Sequence, residues 1–226
     1  MIKIIYKILP NWFKNKWLRK AQNFLNRELP PAHTVMPIIH LKPHHIQNTK
    51  LLANRNELLK ALPKGGICAE LGVDTGGFSS SIFSIVHPNK LYLIDAWNSE
   101  RYSESKMAEV ENKFVEEIRS GQIELIRGLS TEVVNSFQNN YFDWIYIDTD
   151  HSYETTAREL ELYRQKVKED GLICGHDYIV GNWNAHIRYG VMEAVSEFCN
   201  LYNWELIYLT TEMDIKPSFA IRKIKS

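Results

Sequence analysis

Short apolar runs alternate with amphipathic segments from residue 67 to the end of the chain, and this alternation constrains the fold more than any other feature. Strands that alternate with helices in this way are typical of a parallel sheet with helices on both faces. The sequence therefore predicts an α/β fold, a Rossmann-like three-layer sandwich. The first five predicted strands are residues 67–71, 91–95, 123–128, 142–148 and 171–177.

Two final apolar runs predict strands at residues 204–210 and 218–224. Only seven residues separate them, which is too few for a helical crossover between parallel strands. We therefore expect an antiparallel C-terminal hairpin on a mostly parallel, seven-stranded sheet, an arrangement that such sheets tolerate. The predicted helices are residues 50–62, 76–86, 104–119, 131–138, 153–168 and 191–201.

The N-terminal region differs from the rest of the chain in charge. Residues 1–30 carry seven Lys and Arg against one Glu, a net charge of +6, whereas the whole chain is neutral. This basic, aromatic segment is predicted either to lie on an anionic membrane surface or to form an extra helix on the domain or on a partner subunit. Residues 30–50, with four prolines, predict a linker or a segment that covers the substrate. We predict an extension over residues 1–49 and one domain over residues 50–226.

The cysteines and the hydropathy of the chain indicate in which cellular compartment the protein is expected. Cys68, Cys174 and Cys199 have no paired spacing, which favours buried free thiols in a reducing compartment. No apolar run approaches the roughly 20 residues that span a bilayer, and no signal peptide is recognised. The predicted location is the cytoplasm, with the inner face of a membrane as a place of association for the N-terminus. The same segment could instead be exchanged between the subunits of a homo-oligomer.

The stretch AELGVDTGGFSS has the pattern of a strand that enters a glycine-rich turn and then a helix. A dinucleotide fingerprint needs a glycine two residues after Gly72, but Asp74 stands there. A carboxylate at a helix N-terminus repels phosphate, so NAD and other phosphate cofactors are disfavoured. Glu70, Gly72 and Gly76 instead suit a ligand with an amine and a sulfonium, such as S-adenosylmethionine. Asp95, which ends the next strand, is expected to accept both ribose hydroxyls.

Several motifs occur together and in order over roughly residues 50–226. The chain resembles the small class I S-adenosylmethionine-dependent methyltransferases in ELGVDTGGFS, LIDAW, DWIYIDTDHSYE, GLICGHDY and YGVMEAVSEF. The D-x-D-H-x-Y-E and G-H-D-Y strand ends are similar to those of a subgroup related to macrocin-type sugar O-methyltransferases. This resemblance implies a seven-stranded sheet whose last strand inserts antiparallel.

The same resemblance implies a set of cofactor contacts. The glycine-rich turn would lie against the methionine part, with Glu70 near the amine or fixing the turn. Gly128 and Ser130 would border the adenine, and Trp97 would either cover one side of it or be a core aromatic. The implied cofactor residues are Glu70, Gly72, Thr75, Gly76, Asp95, Ala96, Trp97, Gly128, Ser130 and Asp148.

Acidic and histidine side chains follow two predicted strands that end at the same rim of the sheet. Hard oxygen ligands with an imidazole suit Mg²⁺ or Mn²⁺. A divalent cation there would bind two adjacent substrate hydroxyls and lower the pKa of the one that attacks. In the metal-dependent relatives, carboxylates end the fourth and fifth strands. The predicted metal ligands are Asp148, His176 and Asp177.

Direct proton removal is the alternative to a metal. His176 stands where those relatives carry a carboxylate, so the sequence departs from their pattern. His151 or His176 would then take the hydroxyl proton, a role suited to imidazole because it titrates near neutral pH. The predicted catalytic residues are His151, His176 and Asp177.

The predicted reaction is attack of an acceptor oxygen on the sulfonium methyl group. The resemblance suggests a small polyol as the acceptor, a sugar or glycan precursor. An NAD-binding oxidoreductase, a lipid or nucleic-acid methyltransferase and a non-catalytic scaffold stay open. Nucleic acid is not expected, because the chain after residue 30 is net acidic. Acceptor specificity is expected to reside in residues 30–50, 98–105 and 182–189.

Overall fold

The computed structural model describes residues 36–99, 102–182, 187–213 and 216–225, together with Pro10, Asn15, Lys16, Leu18 and Lys20. The chain divides into two compact units, Met1–Ile38 and Ile39–Ser226. The membrane contact predicted for residues 1–30 therefore falls almost wholly outside the described residues. Among the described residues, no helix is both long enough and apolar enough to cross a bilayer.

Eight strands form the main sheet of the described residues, and two short strands form a separate hairpin. The strands are β1 Lys50–Leu52, β2 Ile67–Leu71, β3 Lys90–Asp95, β4 Ile123–Arg127, β5 Phe142–Ile147, β6 Val167–Gly175, β7 Gly181–Asn182, β8 Ile187–Arg188, β9 Trp204–Thr210 and β10 Phe219–Lys223. In the order β1-β9-β10-β6-β5-β2-β3-β4, β10 alone runs antiparallel to its neighbours. The predicted Rossmann-like α/β fold and the antiparallel C-terminal hairpin are confirmed, and the sheet has eight strands where seven were predicted.

The eighth strand of the sheet, β1, lies where the sequence predicts the first turn of a helix. Lys50–Leu52 pairs in parallel with β9 at the sheet edge. The helix begins only at Arg55, because the Asn54 side chain accepts the Glu57 N–H at 3.0 Å and caps it. The prediction of a helix over residues 50–62 is thus wrong at its start.

Helices cover both faces of the sheet, but one predicted helix is interrupted and two end early. The helix predicted over residues 131–138 ends at Val133 and is followed by a single 3₁₀ turn, Val134–Ser136. The pattern over residues 104–119 is interrupted at Phe114, whose backbone leaves the helical region while its ring packs in the core. The helix predicted to reach Lys168 ends at Tyr163, because Val167 already pairs with Phe142 in the sheet. The helices are α1 Arg55–Ala61, α2 Gly77–Val86, α3 Glu104–Lys113, α4 Val115–Arg119, α5 Ser130–Val133, α6 Tyr153–Tyr163 and α7 Val191–Tyr202.

Alternate residues of the central strands enter two separate apolar layers. In β5, Ile145 and Ile147 belong to one buried cluster, whereas Trp144 and Tyr146 belong to the other. This period of two is that of a strand buried on both faces. Since both faces are covered, the carboxyl edge of the sheet is where polar side chains can collect. The cysteines are free and buried, as predicted.

Candidate active site

A cavity of about 900 Å³ opens at the carboxyl ends of β2, β3, β4 and β5. Its size is that of a small-molecule site, and open α/β sheets bind ligands at this edge. Most of the residues predicted to hold the cofactor or the proton line this cavity. These are Glu70, Gly72, Thr75, Asp95, Ala96, Gly128, Ser130, Asp148 and His151.

The glycine-rich turn owes its first glycine to a close backbone approach. Gly72 has φ +90°, and a Cβ there would lie 2.0 Å from the Asp148 carbonyl oxygen. The Gly72 N–H donates to the Ile94 carbonyl at 2.8 Å, and the Asp148 N–H donates to the Leu71 carbonyl at 2.7 Å. The turn is therefore clamped between its two neighbouring strands before any ligand is considered.

Asp95 holds the same turn from the end of β3. Its Oδ2 accepts the N–H groups of Val73 and Asp74 at 2.8 and 2.9 Å, and its Oδ1 accepts the Trp97 N–H at 3.1 Å. A carboxylate has about four lone-pair sites, so Asp95 retains capacity for a ribose hydroxyl. The carboxylate also lines the cavity, and it can serve the turn and a ligand together.

Two predicted cofactor residues do not reach the cavity. Trp97 is fully buried in the core, and its indole N–H donates to the Asp74 carbonyl at 3.0 Å. It therefore packs the turn from behind and does not cover a ligand. Gly76 caps α2 with φ +71° and faces Val110 and Phe114, and the next residue, Gly77, lines the cavity in its place.

Glu70 is a buried carboxyl in the wall of the cavity. It is 1% exposed, and it accepts a hydrogen bond from the Ser79 hydroxyl on α2. Burial raises the pKa of Glu70 to about 8, because the charged form loses hydration. The Ser79 bond fixes the carboxyl against the first turns of α2, so Glu70 both braces the turn and faces the cavity.

A second buried carboxyl, Glu159 on α6, lies beneath the opposite wall. It accepts hydrogen bonds from the hydroxyls of Ser130 and, at 2.9 Å, Thr149. Burial raises the pKa of Glu159 to about 7, and the two hydrogen bonds act against that rise. Ser130 and Thr149 both line the cavity, so Glu159 links the end of β4 to the end of β5. The sequence pattern of α6 gave no sign of this role.

The predicted rim cluster forms, but only part of it faces the cavity. Asp148 and His151 line the cavity, whereas His176 and Asp177 are 8% and 5% exposed and lie behind them. His151 Nδ1 is 3.3 Å from Asp177 Oδ2. His151 and Asp177 both have positive φ values, 62° and 56°, which turn two adjacent strand ends toward each other.

His176 joins the two carboxylates from below. Its Nδ1 is 3.2 Å from Asp177 Oδ2 and 3.6 Å from Asp148 Oδ1, while its Nε2 is buried with no hydrogen-bond partner among the described residues. Burial lowers the pKa of His176, but hydrogen bonds to Asp148 and Asp177 outweigh it and raise the pKa to about 9. Burial also raises the pKa of Asp177, and the hydrogen bond from His176 with the charge of His151 reverses that shift and lowers it. His176 thus serves as a donor that aligns carboxylates.

The same cluster contains a donor set for a divalent cation. One ligand atom each from Asp148, His151 and Asp177 lies within 4.8 Å of the others. The cluster therefore recruits His151 in place of His176, which differs from the predicted ligand set. Two carboxylate oxygens and one imidazole suit a hard or borderline divalent metal.

Other lining residues were either missed by sequence reasoning or predicted only as part of a longer segment. Arg55 and Phe78 form one wall, with the Arg55 guanidinium carbon 4.4 Å from the Phe78 ring centroid. Tyr102 lies in the predicted specificity segment 98–105, and Tyr189, beside His151, lies in the segment 182–189. Arg55 had no motif around it, and only the packing of α1 against α2 brings it to the cavity.

Carboxyl groups dominate the charge of this cavity. Asp74 also lines it, and its carboxylate pairs with Lys106 from α3. Such a wall attracts a cationic ligand and disfavours a pyrophosphate. The lining carboxyl groups are those of Glu70, Asp74, Asp95, Asp148 and Asp150.

Comparison with known proteins agrees with this geometry. Residues 69–178 match the model of a family of methyltransferase domains. The matched stretch runs from the glycine-rich turn through Asp95 to the rim cluster. A comparison with curated protein sequences finds no match. Residues 69–178 are therefore similar to a methyltransferase domain, and the narrower macrocin-type resemblance stays a prediction.

Solved structures share the fold at low identity. A proposed rRNA methylase from Clostridium thermocellum is 14% identical over 76% of this chain and 94% of its own, with a TM-score of 0.57. A proposed methyltransferase from Streptococcus mutans in complex with SAH is 13% identical over 75% and 96%, with a TM-score of 0.54. A spermidine synthase from Thermotoga maritima is 17% identical over 76% of this chain and 57% of its own, with a TM-score of 0.50. The chain thus spans little more than half of the synthase.

Proposed function

We propose that this protein is an S-adenosylmethionine-dependent O-methyltransferase that acts on a hydroxyl of a small polyol, such as a sugar or glycan precursor. The observation that carries the proposal is the position of His151. Its imidazole lines the acidic cavity while its Nδ1 lies 3.3 Å from buried Asp177. An imidazole oriented by a carboxylate is the arrangement of a general base.

The cofactor would occupy the part of the cavity between β2, β3 and β4. The clamped turn at Gly72 offers backbone to the methionine part, and Asp95 offers its remaining lone pair to one ribose hydroxyl. Gly128 and Ser130, from the end of β4, would border the adenine. The sulfonium is cationic, so the carboxyl-rich wall favours it electrostatically.

The acceptor hydroxyl would lie between this cofactor and His151. Asp177 Oδ2 lies 3.3 Å from His151 Nδ1 and favours the form with a proton on Nδ1, which would leave Nε2 to take the hydroxyl proton as the oxygen attacks the methyl carbon. The C–O bond forms as the S–C bond breaks, and the products are the methyl ether, S-adenosylhomocysteine and a protonated His151. Catalysis then consists mainly of holding oxygen and methyl in line with water excluded.

A divalent metal is the second candidate for activating the hydroxyl. Asp148, His151 and Asp177 fit such an ion, because their ligand atoms lie within 4.8 Å of one another. When bound, the ion would lower the pKa of a coordinated hydroxyl. In that case His151 is a ligand and is not available as the base, so the two mechanisms exclude each other at this residue.

Methyl transfer itself is the direct test. The protein is incubated with S-adenosylmethionine carrying a deuterated methyl group and with a pool of sugars, nucleotide sugars and other polyols, and products are read by mass spectrometry. If the proposed activity is correct, a labelled product should form from this pool. Methyl transfer that persists in EDTA would favour His151 as the base. Loss of transfer in EDTA, restored by Mg²⁺ or Mn²⁺, favours the metal. Label found only in added RNA or lipid would overturn the polyol acceptor.

Cofactor choice has an independent test. The melting temperature is measured with S-adenosylhomocysteine and with NADH at equal concentrations. A ligand that binds only the folded state raises the melting temperature. S-adenosylhomocysteine should therefore raise the melting temperature, and NADH should leave it unchanged. The reverse result would favour an oxidoreductase and overturn the proposal.

A further inference from the structure

Arg55 lies in the wall of the acidic cavity, and neither the family match nor the proposed reaction gives it a role. It begins α1 and precedes the matched residues 69–178. Among the described residues that line the cavity, it is the only one with a permanent positive charge. A cation kept among carboxyl groups at a cofactor cavity suggests a ligand that carries a negative group.

The guanidinium is held in place but keeps its donors. Its carbon lies 4.4 Å from the centroid of the Phe78 ring, a cation–π contact that fixes the group against the wall. The backbone N–H of Arg55 donates to Glu212 at 2.6 Å and anchors the start of the helix. No ion pair or side-chain hydrogen bond of Arg55 occurs in the described part of the chain. The planar donor fork is therefore available to a bound anion.

Glu70 is the carboxyl group that interacts with Arg55. Burial raises the pKa of Glu70, and the positive charge of Arg55 acts against that rise. The two side chains thus interact electrostatically, although they form no direct ion pair. A guanidinium and a carboxyl group in one cavity wall match a ligand that carries a carboxylate and an ammonium on the same carbon, because a nearby ammonium would favour the ionised form of Glu70.

We propose that Arg55 binds the carboxylate of an α-amino-acid group, the amino-acid end of S-adenosylmethionine, with Glu70 beside its ammonium. This inference rests on the proposed function. A planar guanidinium can give two parallel hydrogen bonds to a carboxylate, which a lysine cannot. The affinity of cofactor fragments that lack the carboxylate should therefore not depend on the donors of Arg55.

The test compares two ligands that differ only in that group. Affinities of S-adenosylhomocysteine and of its decarboxylated analogue are measured by calorimetry on the wild-type chain and on Arg55→Gln. Arg55→Gln should weaken S-adenosylhomocysteine about 10-fold to 100-fold, the value of a charge-assisted hydrogen bond or two. The decarboxylated amine should bind equally or more tightly, because a neighbouring positive charge has been removed. Arg55→Lys should fall between wild type and Arg55→Gln.

Lys60→Gln is the matched control, since it removes a cation from the same helix at an exposed position outside the cavity. It should leave both affinities unchanged. Equal weakening of both ligands by Arg55→Gln would indicate a distorted helix and would overturn the inference, as would no weakening of either. If the wild-type chain binds neither ligand, the proposed function itself is wrong. That result differs from one in which the wild type binds S-adenosylhomocysteine and Arg55→Gln binds it equally well.

Discussion

The two halves of the cavity are built from different kinds of interaction. On the half proposed to hold the cofactor (the cofactor half), at the ends of β2 and β3, Asp95 bonds to backbone N–H groups and Gly72 fits against a backbone carbonyl. On the half proposed to remove the proton, at the ends of β5 and β6, Asp148, His151 and Asp177 interact through side chains. The first half fixes a shape, and the second fixes charges.

Because the two halves are built differently, a substitution in each should impair a different property of the protein. Backbone-supported geometry is part of the folded state, so damage there should reduce stability together with cofactor affinity. The His151 side chain is partly exposed and contributes little to folding, so replacing it should reduce turnover and leave cofactor affinity intact. We expect these two kinds of loss to be separable.

The largest effect is expected from His151→Asn. Loss of the base should lower kcat by about 10²- to 10⁴-fold, the usual contribution of a general base. Asn tolerates the left-handed backbone of His151, φ 62°, so the fold should be kept. His87→Asn is the matched control, since His87 is exposed and also has positive φ, 52°. Turnover and S-adenosylhomocysteine affinity are measured together, and a large loss of affinity would break the proposed separation.

Gly72→Ala should lower the free energy of unfolding by about 3 kcal/mol or more, because it adds a clash to an unfavourable φ. The Cβ would lie 2.0 Å from the Asp148 carbonyl oxygen. Gly121→Ala separates the two causes, since Gly121 has φ +77° with nothing within 4 Å. That control should lose only about 1–2 kcal/mol, the cost of the left-handed backbone. Chemical denaturation measures both, and equal losses would show that the clash is relieved.

Glu159 lies between the halves and should make stability depend on pH. Its pKa of about 7 exceeds the ordinary 4.5, so the folded state holds a proton that the unfolded state releases. Stability from this group is therefore greatest below pH 4.5, falls as pH rises toward 7, and is then constant at a penalty of about 3 kcal/mol.

Glu159→Gln should remove this dependence. The free energy of unfolding is measured by denaturation at pH 5 and pH 8. From pH 5 to pH 8 it should rise in the variant, relative to the wild type, by up to about 2–3 kcal/mol. Glu161→Gln, two residues along α6 and on the opposite side of the helix, is the control with the opposite sign. Burial raises the pKa of Glu161, but hydrogen bonds from Tyr202 and Arg164 outweigh it and lower the pKa. A Glu159 variant that tracks the wild type at both pH values would show that the carboxyl is ionised throughout.

The smallest effect is expected from Lys106→Gln. Lys106 pairs with Asp74, whose side chain is 50% exposed, so the pair is screened by water. Its loss should change the free energy of unfolding by less than about 1 kcal/mol. A thermal melt suffices to measure it. A loss comparable to that of Gly72→Ala would mean that side-chain charge also supports the cofactor half.

Sequence reasoning succeeded where the signal is local. The alternation of apolar runs predicted the strands from β2 to β10 of the main sheet, and the short gap before β10 predicted its antiparallel pairing. It failed at element ends. β1 and the early stop of α6 depend on pairing with β9 and with Phe142, which lie far away in the sequence.

The site was predicted in outline and corrected in detail. Motif order brought the rim residues to one cluster, but which imidazole faces the cavity depends on side-chain direction. His151 faces it and His176 lies beneath, and Trp97 packs in the core. A motif gives the position of a residue along a strand, and it does not give the direction in which a left-handed backbone turns its side chain.

Local sequence pattern was enough to predict most of the strands and helices, the glycine-rich turn and its acidic surroundings, because these follow from periodicity, backbone freedom and charge along a short stretch. The contact of His151 with Asp177, the support of two walls by Glu159 and the place of Arg55 in the cavity wall became visible only in the folded chain. The residues involved are far apart along the chain. Each of these contacts joins segments that no local pattern connects, and packing of the helices on the sheet brings them together.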